Sequence, residues 1–403
     1  MKNFLIIGLI LSYIFATAFL ETESGNRIKP ADLMLAGIIL ISLQIIIANK
    51  QLVISRIHIA ILPLLTIFLI GSIQAIYPDR AILELTVVFF GFIGSIAIVN
   101  LLTSLSDIWL KRFMQGYVII IGFLALICLI DFLILPGLIS SRNLGGLQGP
   151  FRNTGQAGHF FGVHFAIILA LLMGQVIPRN LIYIIALIII GFALVFTFKR
   201  ASILAAITGL ALLLLFMFFS NSARDKKLSV ILTISFFLIA TPGYFLFQWA
   251  MEEVPGMKWR SEYKFNNDAV EDFTEGFLAE NIRSSFDALS DKPLLGVGLD
   301  NVRDIYQNHE IHSTYLGILA YSGIVGTVAY LFFMGVFFLR IYTESRFKQL
   351  NPWSSFLYTI TPLIMGLVVG WAYTYHLRKR EFWILVIFVV LAIRMSKRLR
   401  LNH

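Results

Sequence analysis

His309-Glu310-Ile311-His312 closes a polar stretch and leads straight into an apolar run. Two histidines beside a glutamate invite a zinc reading. A zincin helix, however, needs its histidines four residues apart with the glutamate next to the first, and no third ligand cluster accompanies this pair. The expectation is therefore no metal and no cofactor. A single neutral imidazole instead suits a general base that takes a proton from a hydroxyl near pH 7. His312 is the candidate catalytic residue; the alternative is that it only caps the helix that follows. His309 and Glu310 carry no assigned role.

Cations at the ends of apolar segments are the second kind of candidate. In "FTFKRASIL", Lys199 and Arg200 separate two apolar runs with almost no loop. Either this is a tight turn with snorkelling cations, or Arg200 is an anion site, since a guanidinium grips phosphate oxygens in a bidentate fork. In "LQGPFRNTGQAGHFFGVHF", Arg152 and Asn153 occupy a Gly-flanked turn before a span whose first amides could face an anion. His159 and His164 lie deeper in that span and read as satisfied polar residues between helices. Arg283 sits on a short amphipathic helix in "NIRSSFDALSDKPLLGVGLDNV" and alone would be an ordinary surface arginine.

The elements that must position these residues follow from composition. Of 403 residues, 58% are hydrophobic and 14% charged, with a mean hydropathy of +0.83. A soluble chain carries about 25% charged residues, so this is an all-α, polytopic membrane protein. The single cysteine, Cys128, lies in an apolar run and leaves no disulfide framework. The net charge of +9 reflects basic residues at segment ends, which positive-inside bias and anionic membrane lipids explain better than nucleic acid.

A spanning helix needs about 20 mostly apolar residues, and about twelve such segments run from 3–20 to 382–396. Four regions are expected: N-terminal spans (1–135), central spans with the Arg152 and Arg200 outer loops (136–248), a large polar loop (249–311), and C-terminal spans (312–403). Lys and Arg in alternate short loops, from Lys50/Arg56 through Arg224/Lys226/Lys227 to the Lys397 tail, read as cytoplasmic. The loop at 136–156 and the 249–311 insertion then share the outer side. "HLRKRE", His376 to Glu381, falls outside as well, against that bias. Either the last hairpin is misread or those cations have a job. Ala16-Thr17-Ala18 before "ETES" resembles a signal-peptide site, but an uncleaved first span is expected.

Taken together, several stretches resemble the bacterial O-antigen ligase and polymerase superfamily. "RASIL", from Arg200 to Leu204, is similar to its R-x3-L element, and "HSTYL", from His312, to its H-[S/N]-x-x-L element. "HSTYLGILAYSGIVG" fits its pattern of His, Ser or Asn, nine residues, then G-x-x-G at Gly323 and Gly326. "DKPLLGVGLDNV" resembles its P-[L/F]-x-G-x-G turn. "GPFRNTGQAG" resembles its G-x-F-x-N-x-N region, with Thr154 and Gln156 departing from the commoner Pro-Asn.

The resemblance covers the C-terminal two thirds. It implies a glycosyltransferase of the bacterial inner membrane, with its active site facing the periplasm. The donor would be an undecaprenyl-diphosphate-linked glycan and the acceptor lipid A–core (a ligase) or a second lipid-linked glycan (a polymerase). His312 would act on the acceptor hydroxyl, while Arg200, Arg283 and Arg152 would hold the diphosphate. Those cations would stand in for a metal, which fits a first outward loop holding only Glu21 and Glu23 as carboxylates. From another class, a lipid-linked oligosaccharide flippase also suits twelve spans, though no internal repeat supports it.

Overall fold

The computed structural model describes residues 2–18, 30–139, 145–220, 222–254, 256–265 and 276–401. Glu21 and Glu23 fall outside them. The described residues form helices α1 (Lys2–Ala16), α2 (Pro30–Asn49), α3 (Arg56–Ala60), α4 (Leu62–Ile73), α5 (Pro78–Thr103), α6 (Asp107–Leu133), α7 (Thr154–Met173) and α8 (Leu181–Phe196). They continue as α9 (Arg200–Phe218), α10 (Ala223–Glu253), α11 (Met257–Phe265), α12 (Ala279–Asp291), α13 (Thr314–Ser345), α14 (Pro352–Gly370) and α15 (Arg380–Leu401). The chain is all-α and polytopic, as its composition requires.

Each of the twelve expected segments is helical, but the number that qualify as spans differs. Nine segments among the described residues are long and apolar enough to cross a membrane, while α1 and α8 are shorter apolar helices. The last segment lengthens into α15, whose second half carries Arg394, Lys397, Arg398 and Arg400. Large apolar side chains such as Leu238, Phe245 and Leu331 are exposed on the bundle's outside, the arrangement expected where lipid is the solvent.

Two close approaches place the functional ends. The first joins α9 to α14. A Cβ on Gly366 would lie 2.3 Å from the Ala205 carbonyl and 2.4 Å from the Gly209 amide, and one on Gly370 would lie 3.0 Å from the Ala201 carbonyl. Small residues on both faces let the backbones touch, the usual route to tight helix packing in lipid. The start of α9 is thereby fixed against the residues after α14.

The second is a break inside α13 at Gly323, whose φ of 61° and ψ of −161° are not helical. The Pro293–Gly298 turn fills that break. Val297 and Gly298 donate to the carbonyls of Ala320 and Tyr321, at 3.0 and 3.1 Å, while Ile324 and Val325 donate to Pro293 and Leu294, at 2.9 and 3.2 Å. Four groups orphaned by the break are satisfied by the turn, which is what non-helical backbone in a spanning segment demands. Gly296 (φ 68°) and Gly298 (φ 88°) are left-handed, and a Cβ on Gly296 would lie 2.4 Å from the Ser322 amide. Glycine is required there on both counts.

Ion pairs join residues that charge bias assigned to the same side. Arg80–Asp304 (2.6 Å), Arg378–Glu84 (3.3 Å) and Arg380–Asp32 (2.5 Å) lie at the insertion end. Lys348–Asp225 (2.6 Å), Arg398–Asp107 (2.7 Å) and Lys397–Glu344 (3.9 Å) lie at the other. The last hairpin is therefore not misread: His376 to Glu381 shares an end with the 249–311 insertion.

Candidate functional site

His312 stands two residues before α13, and Ser313, not His312, is the N-cap, its hydroxyl accepting from Leu316 N at 3.4 Å. The capping alternative for His312 therefore fails. Its backbone N–H donates to Asn281 Oδ1 at 3.1 Å, and its ring packs edge-on to Phe277 at 5.0 Å between centroids. His312 Nδ1 lies 2.7 Å from the Glu310 carbonyl. A carbonyl only accepts, so Nδ1 carries the proton and Nε2 the lone pair. The imidazole is exposed, and Nε2 has no partner among the described residues. Burial of the surrounding loop, with Lys199 and His309 adding, pushes its pKa below the ordinary 6.5 against the pull of Glu310.

His309 has a different task. Its Nε2 faces Glu280 at 3.2 Å and its ring stacks on Phe277 at 4.7 Å. Phe277 thus packs on both imidazoles, whose polar atoms engage different partners. Among the described residues no group of three or more His, Cys, Asp or Glu side chains is placed to hold a metal ion.

The cations separate into those that reach this region and those that do not. Lys199 is the N-cap residue of α9 and Arg200 its first residue, following a turn in which Phe198 takes a φ of 53°. The two apolar runs therefore meet in a tight turn, which leaves Arg200 at the very start of α9. The Lys199 stem lies against Gly155 and Gly158 at the start of α7, where a Cβ on Gly158 would come within 2.6 Å of it. Lys199 is the cation that acts on His312.

Arg152 is exposed in the turn before α7, where Gln148 Nε2 donates to its carbonyl at 2.9 Å and Asn153 caps the helix. Arg152, Lys199 and Arg200 share one end of the bundle with His312. Arg283 is less engaged. Its side chain is 87% exposed and 3.9 Å from Asp287 on α12, one helical face away from Asn281, which contacts His312.

Sequence reasoning missed Arg260 and Asn281, and it flagged Arg378 within "HLRKRE" without giving it a role. Arg260, on α11, donates to Thr154 Oγ1 at 3.2 Å and ties the insertion to the start of α7. Arg378 bridges Glu84 and Glu310, so it holds the loop whose carbonyl fixes the His312 tautomer. Asn281 holds the His312 backbone. The partners of these residues have no local signal, because each is tens to hundreds of residues away.

His159 and His164 are satisfied polar residues for the most part. His159 meets Ser202 at 3.1 Å and Thr374 at 2.8 Å; His164 Nδ1 meets Tyr117 at 2.5 Å. Beside His159 lies a small, partly open cleft between α7, α9, α14 and α15, lined by Ser202, Thr374, His376, Lys379 and Glu381 among others.

The arrangement can remove a proton from a hydroxyl at His312 Nε2 beside fixed positive charge. Residues 185–331 match the family model described as O-antigen ligase. The matched segment holds Arg200, Arg283, the turn at Pro293–Gly298, His312 and the break at Gly323. No curated protein matches the chain.

Proposed function

We propose that this protein is an O-antigen ligase, as the match over residues 185–331 supports, and that it transfers a glycan from undecaprenyl diphosphate to a sugar hydroxyl of lipid A–core. The site would face the periplasm from the bacterial inner membrane. His312 Nε2 takes the acceptor's hydroxyl proton as that oxygen attacks the anomeric carbon. The bond from that carbon to the diphosphate breaks, and its electron pair leaves with the phosphate oxygen. Direct displacement inverts the anomeric configuration. Arg200 and Arg152, joined by the exposed Arg283 of α12, stabilise the charge that develops on the diphosphate. Those fixed cations make the reaction metal-independent in this reading.

One observation carries the proposal: the His312 tautomer, fixed with its lone pair outward at the end of the bundle where Lys199 and Arg200 begin α9. A polymerase reaction would use the same chemistry on a lipid-linked acceptor. A strain lacking the protein separates the two. Lipid A–core without glycan alongside intact lipid-linked polymer is the result expected. Core capped by single repeats would make the protein a polymerase instead.

A further inference from the structure

Three consecutive cations, Arg378, Lys379 and Arg380, occupy the segment after α14, and the structure treats them unequally. Arg378 is paired with Glu84 and Glu310, and Arg380 with Asp32. Lys379 lies between them with no carboxylate within ion-pair distance among the described residues, and it lines the cleft beside His159. Glu381 lines the same cleft but lies beyond that distance. A half-buried cation with no carboxylate at contact distance is under-compensated, and a bound anion would complete it. Burial pushes Lys379 down to about 8 against the pull of Glu381, with Lys199 and Arg378 adding to the shift.

His376 supplies a second, independent sign. Thr314 has one hydroxyl proton, and it goes to the Thr374 carbonyl at 2.6 Å. His376 Nδ1, 2.7 Å from Thr314 Oγ1, must therefore be the donor, which leaves the lone pair on Nε2. That nitrogen is buried without a partner among the described residues, and His376, 3% exposed, lines the cleft. The ring is stacked flat on Trp371 at 3.6 Å and 10°, so it is not free to turn away. A lone pair repels a bare phosphate oxygen and calls for a hydroxyl.

We propose that Lys379 and His376 form one ligand subsite in which the ammonium takes a phosphate oxygen and the imidazole takes a hydroxyl, so that it fits a glycosyl phosphate. The proposal rests on the transferase reading above and extends the donor site beyond residues 185–331. The same chemistry is offered by the donor's sugar diphosphate and by the headgroup of phosphatidylglycerol.

The test uses the full chain in phosphatidylcholine nanodiscs with three probes: undecaprenyl diphosphate, the same lipid carrying one sugar, and phosphatidylglycerol. Lys379→Met should weaken binding of undecaprenyl diphosphate about tenfold or more, and Lys379→Arg should restore most of it. The thermal midpoint of the empty Lys379→Met protein should be unchanged or higher, since an uncompensated cation has been removed. His376→Asn keeps a donor for Thr314 and should lose only the extra affinity that the sugar confers.

Equal affinity in Lys379→Met and the parent overturns the subsite and leaves the transferase reading intact. A fall in the empty protein's midpoint makes Lys379 a structural cation and also overturns it. Binding of phosphatidylglycerol through Lys379, without preference for undecaprenyl diphosphate, supports the phosphate-and-hydroxyl chemistry and counts against the transferase reading. No binding of any probe by the parent overturns the subsite.

Discussion

At the scale of single residues, the proposed chemistry depends on which imidazole nitrogen carries the proton. Nδ1 of His312 is committed to the Glu310 carbonyl at 2.7 Å, so replacing the ring removes the base and little else. We expect His312→Ala to lower glycan transfer by about a hundredfold or more, with unchanged yield of membrane-inserted protein; surface-polysaccharide assembly in that variant checks it, and full assembly would sink the general-base role. Arg200→Ala should likewise abolish transfer while leaving insertion intact. The pH profile carries opposite signs on its two limbs. His312 is held below 6.5, so its basic form is present at neutral pH and kcat/KM should fall only below 6.5. Lys379, down at about 8, loses its charge above that value, so kcat/KM should fall there too. A profile flat from pH 7 to pH 10 would remove Lys379 from the donor site. The place of His312 at the head of an apolar helix was legible in "HEIHSTYL". The duties of Asn281, His376 and Lys379 were not, because each depends on a partner that only folding brings near.

At the scale of elements, a turn and a break are made for each other. The Pro-Leu-Leu-Gly-x-Gly stretch and the glycines of α13 stood out as separate sequence features, and their spacing marks both. What they do together could not be read, since the four hydrogen bonds between them form across two segments. The consequence is a rigid path from the turn to the start of α13, where His312 sits. Gly296→Ala places a Cβ 2.4 Å from the Ser322 amide at a φ of 68°, and should destabilise the protein by about 2 kcal/mol or more. Thermal unfolding in detergent measures this; an unchanged midpoint would mean that the turn is not seated in the break. The helical, polytopic character was legible from length and apolarity alone, whereas the number of spans was not, since α1 and α8 are short, nor was the extent of α15, whose charged second half is masked in a hydropathy window.

At the scale of the whole molecule, charge bias and ion pairing agree on two ends. "HLRKRE" opposed the bias because Lys and Arg were counted without their partners. Asp32, Glu84 and Glu310 neutralise Arg380 and Arg378 at that end, so the exception shrinks to Lys379. A membrane-impermeant maleimide should therefore label Asp287→Cys and Ala372→Cys from one side and Lys227→Cys only from the other; native Cys128 is buried and should stay silent. Labelling of Ala372→Cys from the Lys227 side would contradict the architecture. The central claim is that this bundle breaks and forms a glycosidic bond. Purified protein given an undecaprenyl-diphosphate-linked glycan and lipid A–core should yield lipid A–core carrying the glycan, with inverted linkage and one free undecaprenyl diphosphate per transfer. Movement of the intact lipid-linked glycan across a bilayer with no bond cleaved would contradict it and make the protein a transporter.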